Sequence, residues 1–252
     1  MAARCRRTAS RPPSCAGVAT APHTEPEGSA AKSTDVDERG LLGDRLYAVR
    51  DAEGRFGSGK NTRRFRRMPG LLRLRSRYPC ADCLGQPELL DPDGVPAADA
   101  TAYLRRYLRR YLRRQDVEVA REGSVSHFDQ LPLSVLSTAT LDWMRTALAG
   151  TAVDERRFRP NLLIRTPPGT PAFVEDQRLG STVRIGGTVC VTFVRSSERR
   201  VMVNGSQQGL PHSPLVLRTI AQAHDMRLDA LATVTAPGTI DVGDPVAVLR
   251  QW

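Results

Sequence analysis

Between Arg156 and Asn204 no apolar run is long enough for a packed helix, and turn residues interrupt every one. Leu162 to Ile164, Val189 to Val194 and Val201 to Val203 alternate with Gly, Pro, Asp and Glu, the pattern of closely spaced short strands. Groups able to hold an anion sit at the predicted strand ends. Arg159 and Asn161 flank Pro160, and Arg199 and Arg200 precede Val201. A guanidinium is a rigid fork of donors for a phosphate or a carbonyl, and an asparagine amide can pair with the edge of a heterocycle.

The chain of 252 residues suits one domain, with or without a tail, and can bury a substantial core. No apolar run approaches the roughly 20 residues of a membrane-spanning helix, so no membrane partner is expected. The opening Met-Ala-Ala-Arg-Cys-Arg-Arg leads into Ser, Pro, Ala and Gly, not into the apolar segment of a secretory signal. Five cysteines form no disulfide framework, and a reducing, cytoplasmic setting is expected. The formal charge of +10 is almost wholly arginine, because lysine occurs only at Lys32 and Lys60. Such a skew reads as compositional bias spread over the chain. It singles out no binding face, so nucleic acid is not the expected partner.

Residues 1 to 38 hold too few large apolar side chains to offset their ordering entropy and read as a disordered tail, with the domain spanning 39–252. Order is predicted to start at Gly40, where Gly43-Asp44-Arg45 turns into a strand around Leu46 to Val49. Gly54 to Lys60 nearly spells a phosphate-binding loop, but Asn61 replaces the magnesium-binding hydroxyl, so a hairpin loop is predicted. Cys80 and Cys83 lack the further ligands that zinc requires. The triplicate Tyr-Leu-Arg-Arg from Tyr103 to Arg114 predicts an amphipathic helix lying on a core with its arginines in water. A strand after Ser126 runs into hydroxyls, with Thr138 predicted to cap a helix ending before Gly150. Free N–H groups and hydroxyls at such a start make an anion site. A second helix is predicted over about 214–224, followed by strands over 228–234 and 246–249. Glu175 and Asp176 read either as carboxylates placed to hold a water or an amine, or as part of a solvated turn.

In this order, the Arg-Phe-Arg-Pro-Asn run at 157–161, Phe173-Val-Glu-Asp and the pair Arg199-Arg200 resemble the MOSC domain, the C-terminal module of molybdenum cofactor sulfurases. The resemblance spans about 41–249. It implies a mainly β fold: a MOSC-like barrel of short mixed strands with peripheral helices. It also implies a molybdenum cofactor, with Arg45, Ser137, Thr138, Arg159, Asn161 and Arg200 at the cofactor-binding positions and Ser137 and Thr138 on the pterin phosphate. Arg200 stands where the family carries the cysteine that ligates molybdenum. The family's opening strand with Tyr-Pro-x-Lys-Ser has no counterpart here, so the barrel is expected to lack that strand or the given start to be incorrect.

Two functions follow from the resemblance. One is molybdopterin-dependent oxygen or sulfur transfer on a small-molecule substrate, with electrons from a separate reductase partner. The pyridoxal-phosphate sulfurase fused to some family members is absent. The other is a degenerate pterin-binding module without chemistry, because arginine has no lone pair for a soft metal.

Overall fold

The computed structural model describes residues 33–68, 70–71, 74–78, 85–91, 93–109, 116–206 and 209–249, and residues 3–6 and 250 by their backbone. Cys80 and Cys83 and the end of the Tyr-Leu-Arg-Arg repeat lie outside the described residues. In chain order the strands are β1 (Ala3–Arg6), β2 (Ser33–Asp37), β3 (Gly40–Leu41), β4 (Tyr47–Asp51), β5 (Phe56–Ser58), β6 (Phe65–Arg67), β7 (Arg75–Arg77) and β8 (Glu88–Leu90). Helix α1 (Ala100–Leu108), β9 (Val117–Arg121), β10 (Leu133–Ser137), α2 (Thr138–Ala147), β11 (Leu162–Arg165), β12 (Thr182–Ile185) and β13 (Val189–Glu198) follow. Helix α3 (Leu215–His224), β14 (Arg227–Ala236), β15 (Gly238–Asp241) and β16 (Pro245–Arg250) complete the order. The fold is mainly β, and the chain divides into two compact units.

The first unit, formed by described residues of 3–6, 33–42 and 130–250, is a closed barrel in the order β1-β11-β10-β14-β13-β12-β16. Only β10 and β11 run parallel among these neighbours, and α2 is the crossover that a parallel pair requires. Alternate side chains of each strand face inward, so Val183, Ile185, Val189, Val191 and Phe193 bury against Leu133, Val135, Leu162, Ile164 and Val246. A second apolar layer joins Leu141 and Met144 of α2, and Leu148 just after it, to Val216 and Ile220 of α3, with Phe158 and Leu163. The motif's first arginine, Arg157, is 2% exposed. It spends its donors on carbonyls, with Nε 2.9 Å from Ala152 O and Nη2 2.7 Å from Pro211 O.

The second unit covers described residues of 43–129. Its sheet runs β6-β5-β4-β9, and α1 packs Leu104, Tyr107 and Leu108 among Val49, Leu71, Leu74 and Val117. The repeat thus forms a helix on a core with Arg106 and Arg109 exposed, while Arg105 donates to Val117 O at 2.9 Å. The phosphate-loop-like run is a hairpin, β4 pairing with β5 through Arg50 and Phe56.

Three sequence expectations are corrected here. Ser33–Asp37 lies within the segment read as a tail yet forms a strand that pairs with β15 and β3 and buries Val36 in the barrel core. One apolar residue in five is invisible to a composition argument, because pairing on both edges supplies the order. Strand β1 pairs with both β11 and β16, so the alternative of a barrel without its first strand does not hold. Val201 to Val203 is a 3₁₀ turn, Val201–Asn204, instead of a strand. Val36→Ala should cost about 1–3 kcal/mol as a shift in denaturant midpoint at constant slope. A change below about 0.5 kcal/mol, the scale of a surface substitution, would return residues 33–37 to the tail.

Candidate functional site

Strand β10 passes into α2 without a loop, which puts the helix start at the rim of the barrel. Ser137, last residue of the strand, is the N-cap in extended backbone, and its Oγ accepts from Thr140 N at 3.1 Å. The cap therefore falls one residue before Thr138. The Thr138 hydroxyl instead accepts from Thr166 N at 3.0 Å, and Ala139 N donates to the Thr166 hydroxyl at 3.2 Å. Both hydroxyls in the phosphate-binding expectation are thus engaged within the chain.

An anion does sit at this helix start, and the chain supplies it. The Glu175 carboxylate accepts from Ser137 N at 2.5 Å and from the Thr140 hydroxyl at 2.7 Å, and it is 4% exposed. The positive end of the helix and two hydrogen bonds compensate the buried charge. A phosphate here would meet a like charge and find the Ser137, Ala139 and Thr140 N–H groups already taken.

The rest of Phe173-Val-Glu-Asp is also committed internally. Phe173, at φ 57°, stacks on His224 at 4.0 Å and meets Trp143 at 4.9 Å between ring centroids. Asp176 accepts from the Ser196 hydroxyl at 2.6 Å and pairs with His224 Nε2 at 3.2 Å. Of the two readings of Glu175 and Asp176, the solvated turn does not hold for buried Glu175.

Asn161 Oδ1 accepts from Ser134 N at 3.0 Å and from the Ser134 hydroxyl at 3.1 Å, so its oxygen clamps the start of β11 to β10. Arg159 is half-buried and held at φ 53°, a left-handed conformation that a non-glycine residue adopts at a cost. Arg45 belongs to the other unit, at φ 54°, with its guanidinium 5.3 Å from the centroid of Phe128. Arg200 is exposed and paired with Glu198 at 3.2 Å.

Beside it, Arg199 reaches inward to Asp229, a carboxylate of which 2% is exposed. The β13–β14 ladder shifts register between Ser196 and Glu198, and Asp229 takes φ 65° opposite that bulge, which aims it into the interior. Sequence reasoning missed this pair. The available signal was an acid set in the apolar run from Leu228 to Ala232. Burial pushes the Asp229 carboxyl up to about 8, against the opposing pull of Arg199. Asp229 Oδ1 and Arg199 Nε are left without hydrogen-bond partners among the described residues.

The barrel interior also contains a cavity of about 80 Å³, reached past Thr166, Thr170 and Arg178 and walled by Val135, Ile164, Val183, Phe193 and Val246.

Among the described residues no cluster of three or more His, Cys, Asp or Glu is arranged for a metal, and no helix is long and apolar enough to cross a membrane. Cys190, a free thiol, lies on the half-buried outer side of β13 between inward-facing Val189 and Val191.

Asp229 gives stability a signed pH dependence. Its contribution is fully present below about 3.8, the ordinary carboxyl value, and is lost as pH rises through about 8, because the native state holds a proton that the unfolded chain has released. Asp229→Asn keeps a residue that tolerates left-handed backbone and should flatten the fall of denaturant midpoint between pH 5 and 9. Parallel curves for parent and variant would contradict this assignment.

The sequence profile of the MOSC domain matches residues 122–247. No curated protein matches the chain. Among solved structures it is similar to the YUAD protein from Bacillus subtilis, at 11% identity and a TM-score of 0.51, over 100% of this chain and 98% of that one. It is also similar to YiiM from Geobacillus stearothermophilus at 15% identity and a TM-score of 0.36, over 48% of this chain and 55% of that one. YiiM from Escherichia coli stands at 17% identity and a TM-score of 0.35, over 49% of this chain and 56% of that one. At 11% identity the YUAD likeness speaks for the fold alone.

Proposed function

The chain belongs to the MOSC domain family, and on that premise we propose that it binds the pterin of a molybdenum cofactor while giving the metal no protein thiolate. The reading rests on position 200, where the resemblance puts the family cysteine and where the chain has an exposed arginine paired with Glu198. A guanidinium cannot ligate molybdenum. Cys190 is ten residues upstream and turned to the outer side of its strand, so it does not replace the missing ligand.

The organic part of the cofactor fits better. Arg159 stands at a position that the resemblance gives to the cofactor and is held in left-handed backbone, a strain that folds keep where a side chain must be aimed. Its guanidinium fork suits a phosphate or a pterin carbonyl. Arg159 lies within the residues that the MOSC profile matches, and it carries the binding in this reading. The role is a pterin-binding module in a reducing, cytoplasmic setting, a reading that the free thiol of Cys190 supports.

The test is pterin and molybdenum analysis of the full chain purified from a host that makes the cofactor. Pterin should be retained with molybdenum well below one per chain. Arg159→Ala should weaken pterin binding by about 1.5–3 kcal/mol, the worth of a charged hydrogen bond, and Arg109→Ala at the exposed end of α1 should not. Arg200→Cys should gain molybdenum, with Cys190→Ser leaving it unchanged. Stoichiometric molybdenum in the parent protein would overturn the proposal in favour of a cofactor-dependent oxidoreductase served by a separate reductase. Absence of pterin from parent and Arg200→Cys alike would remove the pterin reading.

A further inference from the structure

The cavity in the barrel has a charge pattern that names its ligand. Its walls are apolar, and almost every polar group at its mouth is already committed. Glu175 accepts two hydrogen bonds at the α2 start. The Thr166 hydroxyl bonds the Thr138 hydroxyl at 3.0 Å, and the Thr170 hydroxyl donates to Pro167 O at 2.7 Å. Arg178 differs: it is half-buried, lines the same cavity and forms no ion pair among the described residues. A guanidinium left over beside an apolar hole calls for a ligand with an apolar tail and an anionic head.

Size narrows the class. An engineered cavity of about 150 Å³ holds benzene, and this one is about 80 Å³. A fused heterocycle does not fit, whereas the first carbons of an aliphatic chain, narrower than a ring, do, with the rest of the chain at the open end.

We propose that the open end of the barrel binds a short aliphatic monocarboxylate, its tail among Val135, Ile164, Val183, Phe193 and Val246 and its carboxylate on Arg178. The site uses none of the arginines assigned to the pterin, although Ser137 lines it as well. Glu175, the other charged group at the mouth, is compensated by the helix start and its hydrogen bonds, so it does not cancel Arg178.

Titration of the full chain with butanoate, hexanoate, octanoate and dodecanoate, followed by NMR shifts and calorimetry, tests this. Hexanoate should saturate with Kd on the order of 0.1–1 mM, in keeping with the efficiency of small ligands. Affinity should peak at short chains and fall by dodecanoate. Arg178→Gln, a substitution on a half-buried loop side chain, should weaken hexanoate by about 10–100-fold and leave hexanol unchanged. Val248→Trp, at the partly exposed mouth, should block every chain length while circular dichroism stays that of the parent. Three results would overturn the proposal: no saturable shift from any chain at 10 mM (roughly ten times the weakest Kd expected), equal hexanoate binding by parent and Arg178→Gln, or tighter binding of hexylamine than of hexanoate.

Discussion

The Glu175 carboxylate on the first turn of α2 is the contact on which the site depends. Ser137 N and the Thr140 hydroxyl hold it, and Thr140 Oγ1 in turn accepts from Phe173 N at 2.8 Å, so one buried charge ties the 173–176 loop to the β10–α2 junction. From there Phe173 extends the order to Trp143 and His224, and Asp176 extends it to β13 through Ser196. A helix start that would attract an anion from solution is satisfied by one from its own chain.

A second buried carboxyl acts close by, just past the C-terminal end of β13. Arg199 turns in to Asp229, and Arg200 turns out to solvent and Glu198. The strand bulge divides two adjacent arginines between interior and surface. The interior partner is costly to bury, which raises the Asp229 carboxyl, and the exterior one is the residue on which the proposed lack of a metal ligand rests. Neither arginine offers a soft ligand.

Most of the barrel was legible because its strands are short, apolar and separated by turn residues. Leu162–Arg165, Val189–Glu198 and the strands after His224 form close to where periodicity puts them, as do α2 and α3. What local pattern could not show was partnership over distance. Asn161 finds Ser134 27 residues away, and Glu175 finds Ser137 38 residues away, so side chains read from the sequence as ligand donors also serve as structural clamps. Ser33–Asp37 has almost no periodic signal and is held by β15, some 200 residues later. Asp229 was passed over because a lone acid in a strand says nothing of the arginine it will meet.

If Glu175 has taken the anion seat, the Ser137 amide is the most direct witness. Its hydrogen-exchange rate can be read by NMR in phosphate-free buffer and again with phosphate added. Protection comparable to that of Val135 and Leu136, indifferent to phosphate and lost in Glu175→Ala, is the expected result. Rapid exchange that slows only when phosphate is present would show that the seat is open to an external anion, and would contradict the account.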